Sequence, residues 1–251
     1  IDTILRAVGK AVAGRIPAGH YSDIAAILLS GRDGRTGRAY THIEPLAGGW
    51  GARPHADGMN ATYSIGHGDT YNIPVEVLET RFPILIERYR LRTDSGGPGR
   101  HRGGLGVERS YRVPYGGRLN ALSERSKCPP WGLEGGLSAA PGTITVQQPR
   151  LAKVDRYQKV TGLPLASGAR FSFFSGGGGG YGNPLDRDPE RVAEDVRMGY
   201  VSAAAARKHY GVVLKSTSLE VDEAATKRLR ERLRRAARVP RARGAPQSSR
   251  I

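Results

Sequence analysis

His67-Gly68-Asp69 places an imidazole and a carboxylate two residues apart. In extended chain, side chains at that spacing point the same way, so the pair could converge on one substrate or ion. Thr70, Asn72 and Glu76 follow closely. Upstream, Gly48-Gly-Trp-Gly-Ala-Arg53 adds an indole and a guanidinium, and His55 and Asp57 add further polar groups. This set suits proton transfer: His67 or Asp69 would move a proton or position water, Arg53 would orient an anionic or carbonyl oxygen, and Asn72 and Glu76 would line the site. The surrounding stretch, residues 47–73, holds six glycines and little apolar periodicity. A loop of that length in a compact chain is usually functional or disordered. A site and a merely solvated loop are both open at this point.

Other chemistry is thinner. His20-Tyr-Ser-Asp23 has a metal-like spacing, but no third ligand is near it, so chance is the simpler reading. Neither H-E-x-x-H nor G-x-S-x-G occurs. Trp131 follows two prolines and is expected to plug a loop into the core rather than anchor an interface. Gly176–Gly180, followed by Tyr-Gly-Asn-Pro184, contains G-x-G-x-x-G, as any polyglycine does. A dinucleotide fingerprint needs its last glycine where the helix opens, and this helix opens several residues later, at Pro189. No Lys-Ser/Thr follows, as a P-loop requires. Close backbone crossing, where side chains would clash, is the favoured reading.

The elements that must position these residues can be read from spacing. Ile1, Ile4, Leu5, Val8 and Val12 repeat at helical intervals before Pro17. Ile24–Leu29 is a short buried strand or helix. Arg38–Pro45 reads as a strand with Tyr40, His42 and Glu44 on one face. Pro74 suits the first position of a short helix ending before Pro83. Strands are expected at Ile84–Arg92, Val107–Val113, Arg118–Ser123, Thr143–Gln147 and Ala169–Phe174, making an antiparallel region from about residue 84 to 175. Asp188-Pro189 and Ser202 cap helices, Gly211 closes the second of them, and Asp222–Ala237 is a third helix. The expected class is α+β, mostly antiparallel β at its centre, with an N-terminal helix and C-terminal helices.

The chain has 251 residues, 35 glycines, 7% aromatics and one cysteine. A lone Cys128 rules out an internal disulfide, so a reducing, cytoplasmic setting is expected. No stretch is long and apolar enough for a membrane span. The net charge is +16, but residues 222–251 carry ten basic and three acidic side chains and so supply +7 of it. That bias raises an Arg-rich nucleic-acid-binding or assembly module as a rival, although a charged helix is more often a solvated face. Residues after about 238, rich in Pro, Arg and Ser, are expected to be disordered.

Four segments together resemble the C-terminal half of the hydantoinase B/oxoprolinase family: THIEPLAGGWGARPHADGMNAT (41–62), NIPVEVLETRFPILIERYRLRTDSGGPGRHRGGLGVERSY (72–111), ERSKCPPWGLEGG (124–136) and GGGGGYGNPLDRDPERVAEDVRMGYVSAAAARKHYGVVL (176–214). The resemblance runs from about residue 15 to 214. It implies a subunit that supports ATP-dependent hydrolysis of a cyclic amide such as a hydantoin or 5-oxoproline. An ATP-dependent ketone carboxylase of the same family is the enzymatic alternative. It also implies partners: a hydantoinase A-type ATP-binding subunit and the N-terminal half of the B-type chain. ATP and a divalent metal are expected on those, with none bound by this chain alone. The family's metal motif, a Gly-Gly-Thr-His-x-x-Asp context, does not occur here, so no metal is carried over to His20 and Asp23. The expected organisation is residues 1–221 as the C-terminal part of such a domain and residues 222–251 as a basic helical, then disordered, tail. A truncated product or one piece of a split subunit, inactive by itself, is expected.

Overall fold

The computed structural model describes residues 1–238 apart from 10, 68–69, 152 and 216–217. The expected disorder beyond residue 238 therefore lies outside the described residues. Helix α1 (Asp2–Val8) opens the chain, and strands β1 (Ala26–Arg32) and β2 (Ala39–Pro45) follow. The short helix α2 (Val75–Arg81) precedes β3 (Leu85–Leu91), β4 (Val107–Val113), β5 (Gly117–Leu122), β6 (Thr143–Gln147), β7 (Asp155–Tyr157), β8 (Lys159–Leu165) and β9 (Ala169–Phe174). Helices α3 (Pro189–Arg197), α4 (Ala203–Tyr210) and α5 (Glu223–Arg238) complete it. The fold is α+β.

All strand pairs are antiparallel, in two sheets ordered β2-β1-β5-β8 and β3-β4-β9-β6-β7. The antiparallel region thus begins near residue 26 rather than 84, because β1 pairs with both β2 and β5. One buried cluster takes Ile27, Leu29, Leu119 and Leu165 from the first sheet and Tyr111, Val113, Ile144, Val146, Phe171 and Phe173 from the second. That is face-to-face sheet packing, driven by inward apolar side chains at period two. Strands β7 and β8 have no counterpart in the sequence expectations. Gly162, at φ +62°, and Pro164 break the apolar alternation of β8. An edge position tolerates both residues, and β8 ends its sheet.

Helix ends follow local chemistry. Pro74 sits at the N-cap of α2, so the helix starts at Val75, one residue after the expected start. The Asp188 carboxylate accepts from the Glu190 N–H, and the Ser202 hydroxyl accepts from the Ala205 N–H. Gly211 closes α4 at φ +63°. Helices α3 and α4 share a second apolar cluster of Val192, Val201, Ala206, Tyr210 and Val212. Helix α5 is stapled to this body: Thr226 Oγ1 accepts from Val213 N, Arg230 donates to the Tyr210 and Arg187 carbonyls, and Arg234 donates to the Leu185 carbonyl and Asp186.

Between β9 and α3 the glycine run threads through other loops. A Cβ at Gly177 would lie 1.9 Å from the Ser95 carbonyl oxygen, at Gly178 1.8 Å from that of Trp50, and at Gly179 1.9 Å from that of Trp131. At Gly180 it would meet Pro98, three residues beyond Ser95 in the first segment again. The directions repeat every third residue, as in a polyproline II-type helix, and each face rests on a neighbouring backbone. The amides from Gly177 to Gly182 donate in turn to the carbonyls of Ala140, Gly104, Gly19, Leu137, His101 and Leu133. Every N–H from 177 to 182 is thereby occupied by protein.

Candidate functional site

Strand β2 turns His42 and Glu44 inward, and β4 turns Arg109 and Tyr111 toward them. Glu44 Oε1 lies 2.8 Å from Arg109 Nη1, and Glu44 Oε2 accepts from the Tyr111 hydroxyl at 2.8 Å. His42 Nε2 lies 3.5 Å from the same carboxylate oxygen. The Arg109–Glu44 contact is off-axis for an N–H···O bond, and the guanidinium nitrogens find no well-aligned acceptor among the described residues. The guanidinium instead faces rings: its carbon is 4.6 Å from the Tyr89 centroid and 5.7 Å from that of Tyr111.

Tyr89 links this buried charge to the surface. It sits opposite Arg109 in the β3–β4 ladder and is 39% exposed. Its hydroxyl accepts from Asn72 Nδ2 at 2.5 Å, and Asn72 Oδ1 accepts from the Tyr63 hydroxyl at 2.5 Å. Trp50 Nε1 holds the Tyr63 carbonyl at 2.8 Å. The His67 ring meets Tyr63 edge-on at 5.6 Å, and its Nδ1 is 3.2 Å from Ser64 Oγ. Burial, reinforced by Tyr89 and Glu44, pushes the Tyr63 phenol up to about 12, and burial raises Tyr89 as well. Both stay protonated near neutrality. Tyr89 accepts from Asn72, which leaves its own proton for an outside acceptor. The array can therefore donate to a carbonyl oxygen or an anion, with the positive Arg109 behind it.

The expected residues divide. His67 and Asn72 join through Tyr63. Arg53 is exposed, and its backbone forms a tight turn with Ala56. Glu76 is exposed on α2. Neither side chain contacts the array among the described residues, and Asp69 lies outside them. Sequence reading missed Glu44, Tyr63, Tyr89, Arg109 and Tyr111 as site residues. The one available signal was the shared face of Tyr40, His42 and Glu44.

Two further clusters have structural work. Asp57 takes a bidentate pair from Arg187 at 2.7 and 2.8 Å, and Arg187 also reaches Asp195 at 2.8 Å. Burial opposes ionisation of Asp57, but the Arg187 hydrogen bonds and charge outweigh it, and the carboxyl is held below its usual range. This knot ties α3 to the 47–73 loop. His20 stacks on Trp50 at 4.8 Å and accepts the Gly51 N–H through Nδ1 at 2.9 Å. Asp23 accepts from the Glu124 N–H at 2.6 Å. His20 and Ser64 line a cavity of about 190 Å³ with Asp2, whose carboxylate is taken by Arg125 and Trp131.

No group of three or more His, Cys, Asp or Glu side chains among the described residues could hold a metal. The amides of residues 177–182 are donated to protein carbonyls, so none of those six N–H groups is free for a phosphate. No helix is long and apolar enough to cross a membrane among the described residues.

Two facing antiparallel sheets, helices tied on through a glycine-packed junction, and a phenol–amide array opening at the surface define an α+β module. The chain belongs to the hydantoinase B/oxoprolinase family, whose model matches residues 1–184. It is 30% identical over 231 residues to the B-type chain of a putative D-/L-hydantoinase of Pseudomonas sp. (strain NS671), covering 92% of this chain and 38% of that one. It is 27% identical over 235 residues to the acetone carboxylase alpha subunit of Xanthobacter autotrophicus, covering 78% and 30%. The crystal structure of an ATP-dependent caprolactamase from Pseudomonas jessenii superposes with a TM-score of 0.80 at 29% identity, covering 90% of this chain and 40% of that one. The chain therefore spans well under half the length of these relatives.

Proposed function

We propose that this chain is the C-terminal portion of a hydantoinase B-type subunit supporting ATP-dependent hydrolysis of a cyclic amide. The observation that carries the reading is its likeness to the ATP-dependent caprolactamase across 90% of its length. Amide resonance makes a lactam a poor electrophile, and phosphorylating its oxygen makes a better one. We assign that activation, with ATP and a divalent metal, to an A-type partner and the N-terminal half of the B-type chain; no cluster of acidic and His side chains among the described residues suits the metal, and the amides of 177–182 are already donated to protein carbonyls.

This chain would supply one wall of the pocket. Tyr89, held by the Tyr63–Asn72 pair, would donate to an oxygen of the substrate, and Arg109 would favour developing negative charge. His67, with Asp69, would transfer a proton or hold water. Arg53 and Glu76 would line the substrate side. The likeness to an acetone carboxylase chain keeps ketone carboxylation as the second reading.

Co-expression with candidate A-type and N-terminal B-type chains tests this. ATP turnover would be followed with hydantoin, 5-oxoproline, caprolactam, and ketone plus bicarbonate. Lactam-dependent ATP hydrolysis only in the assembled complex is the expected result. Ketone-dependent turnover alone would select the carboxylase, and lactam hydrolysis by this chain in isolation would defeat the reading.

A further inference from the structure

A groove of about 930 Å³ lies beside β7 and the loop after β5. It is lined by Glu124, Arg125, Lys127, Cys128, Arg156 and Lys159, with Ser126 and Tyr157 among its polar groups. Four of these side chains are cationic and one is anionic. Arg125 is taken by Asp2. Lys159 donates to Glu124 at 2.7 Å, but both are about half exposed, and such surface pairs contribute little. Lys127 and Arg156 have no carboxylate partner among the described residues. Both are exposed, and both line the same concavity. A cleft lined by one sign of charge focuses its field and concentrates counter-ions.

We propose that this groove binds a small, multiply charged oxyanion bearing phosphoryl or carboxylate groups. Arg156 supplies a planar fork that matches two oxygens of one such group, and Lys127 supplies a mobile point charge. Lys159 can turn from Glu124 toward the ligand, and the Ser126 and Tyr157 hydroxyls can complete its hydrogen bonds. The groove shares no residue with the Tyr63–Asn72–Tyr89 array, and the inference does not rest on the proposed lactam chemistry.

Cys128 provides the test. It is the chain's one cysteine, it is exposed, and it lines the groove. Its alkylation would be timed on the full chain with anionic iodoacetate and with neutral iodoacetamide, beside an unstructured cysteine peptide. The iodoacetate-to-iodoacetamide rate ratio should exceed the peptide's by about threefold at low salt and fall toward it at roughly 0.5 M salt. Pyrophosphate at about 1 mM should slow alkylation by both reagents roughly fivefold by occupying the groove. Tricarballylate forms a parallel arm: protection by pyrophosphate alone assigns a phosphoryl ligand, and equal protection assigns oxyanions generally. Lys127→Gln with Arg156→Gln should abolish the excess ratio and the protection while leaving circular dichroism and melting temperature unchanged. Should the pair misfold, each single exposed substitution should at least halve the protection. Alkylation rates that neither anion changes at low ionic strength, or equal protection of the folded double variant, would overturn the site.

Discussion

Arg109 and Glu44 face each other across the space between the two sheets, 2.8 Å apart, with 0% and 2% of their side chains exposed. Taking two charges out of water is costly, and their attraction offsets this only in good geometry. Here the guanidinium leans on two tyrosine rings, and the carboxylate accepts a hydrogen bond from the Tyr111 hydroxyl. Removing one partner strands the other. Glu44→Met or Arg109→Met should each lower unfolding free energy by about 3–5 kcal/mol, and the double variant should lose less than either single change. Urea unfolding of the three variants measures this; additive losses would show that the pair is not coupled.

The glycine lattice makes a sharper steric prediction. Gly179→Ala would put a Cβ 1.9 Å from the Trp131 carbonyl oxygen, which belongs to backbone held on both sides. Nothing flexible can give way. Loss should exceed about 4 kcal/mol, appearing as insoluble or unfolded protein. Gly66→Ala is the matched control, because its Cβ would meet nothing within 4 Å. Its stability should stay within about 1 kcal/mol of the parent. Equal tolerance of both substitutions would refute the packing described.

What the sequence could disclose depended on whether a signal was local. Thr143–Gln147 and Ala169–Phe174 were legible because Ile144, Val146, Phe171 and Phe173 alternate inward. The run at Gly176–Gly180 announced close backbone approach by composition, but not its neighbours, which come from residues 19, 50, 95–104 and 131–140. The site was legible only in its loop. His67 and Asn72 stand within one polar stretch, whereas Glu44 and Arg109 are 65 positions apart and meet only when two sheets close. Alternation placed Tyr40, His42 and Glu44 on a common face without telling whether water or a second sheet would cover it.

Acid stability should follow His20. Burial against Trp50 pushes its imidazole down to about 4. The unfolded chain therefore binds a proton below pH 6.5 that the folded chain refuses until about pH 4. Stability from this group is complete above pH 6.5 and lost as pH falls toward 4, by up to about 3 kcal/mol. His101 and His209 are also depressed by burial and act in the same direction. His20→Asn keeps an acceptor for the Gly51 N–H and cannot protonate. Its melting temperature should change less between pH 7 and 5 than the parent's; an identical slope would remove His20 as the cause.

The basic C-terminal helix can be separated into two roles. Its inner face carries Leu229, Arg230 and Arg234 onto the body, so deleting residues 222–251 should lower melting temperature whatever the helix binds. Lys227, Arg228, Arg232 and Arg235 are exposed instead. Changing these four to Gln should leave the fold intact. A nucleic-acid role predicts RNA affinity in the parent that falls steeply with salt and vanishes in this variant. The subunit reading predicts no salt-sensitive binding to lose.

The array itself is tested in an active assembled complex. Tyr89→Phe removes one proton while keeping the ring beneath Arg109, and Asn72→Leu uncouples Tyr63 from Tyr89. A donor that acts only on the reacting oxygen affects kcat rather than KM, by about 100–1,000-fold for a single donor. His67→Ala and Asp69→Ala should each depress turnover at least about tenfold if they move a proton, and His67→Gln should not restore it because an amide cannot cycle a proton. A merely structural role for Tyr89 would instead appear as lowered melting temperature with kcat preserved in the surviving folded complex. Unchanged kcat in both Tyr89→Phe and His67→Ala would move the chemistry off this surface and onto the partner chains.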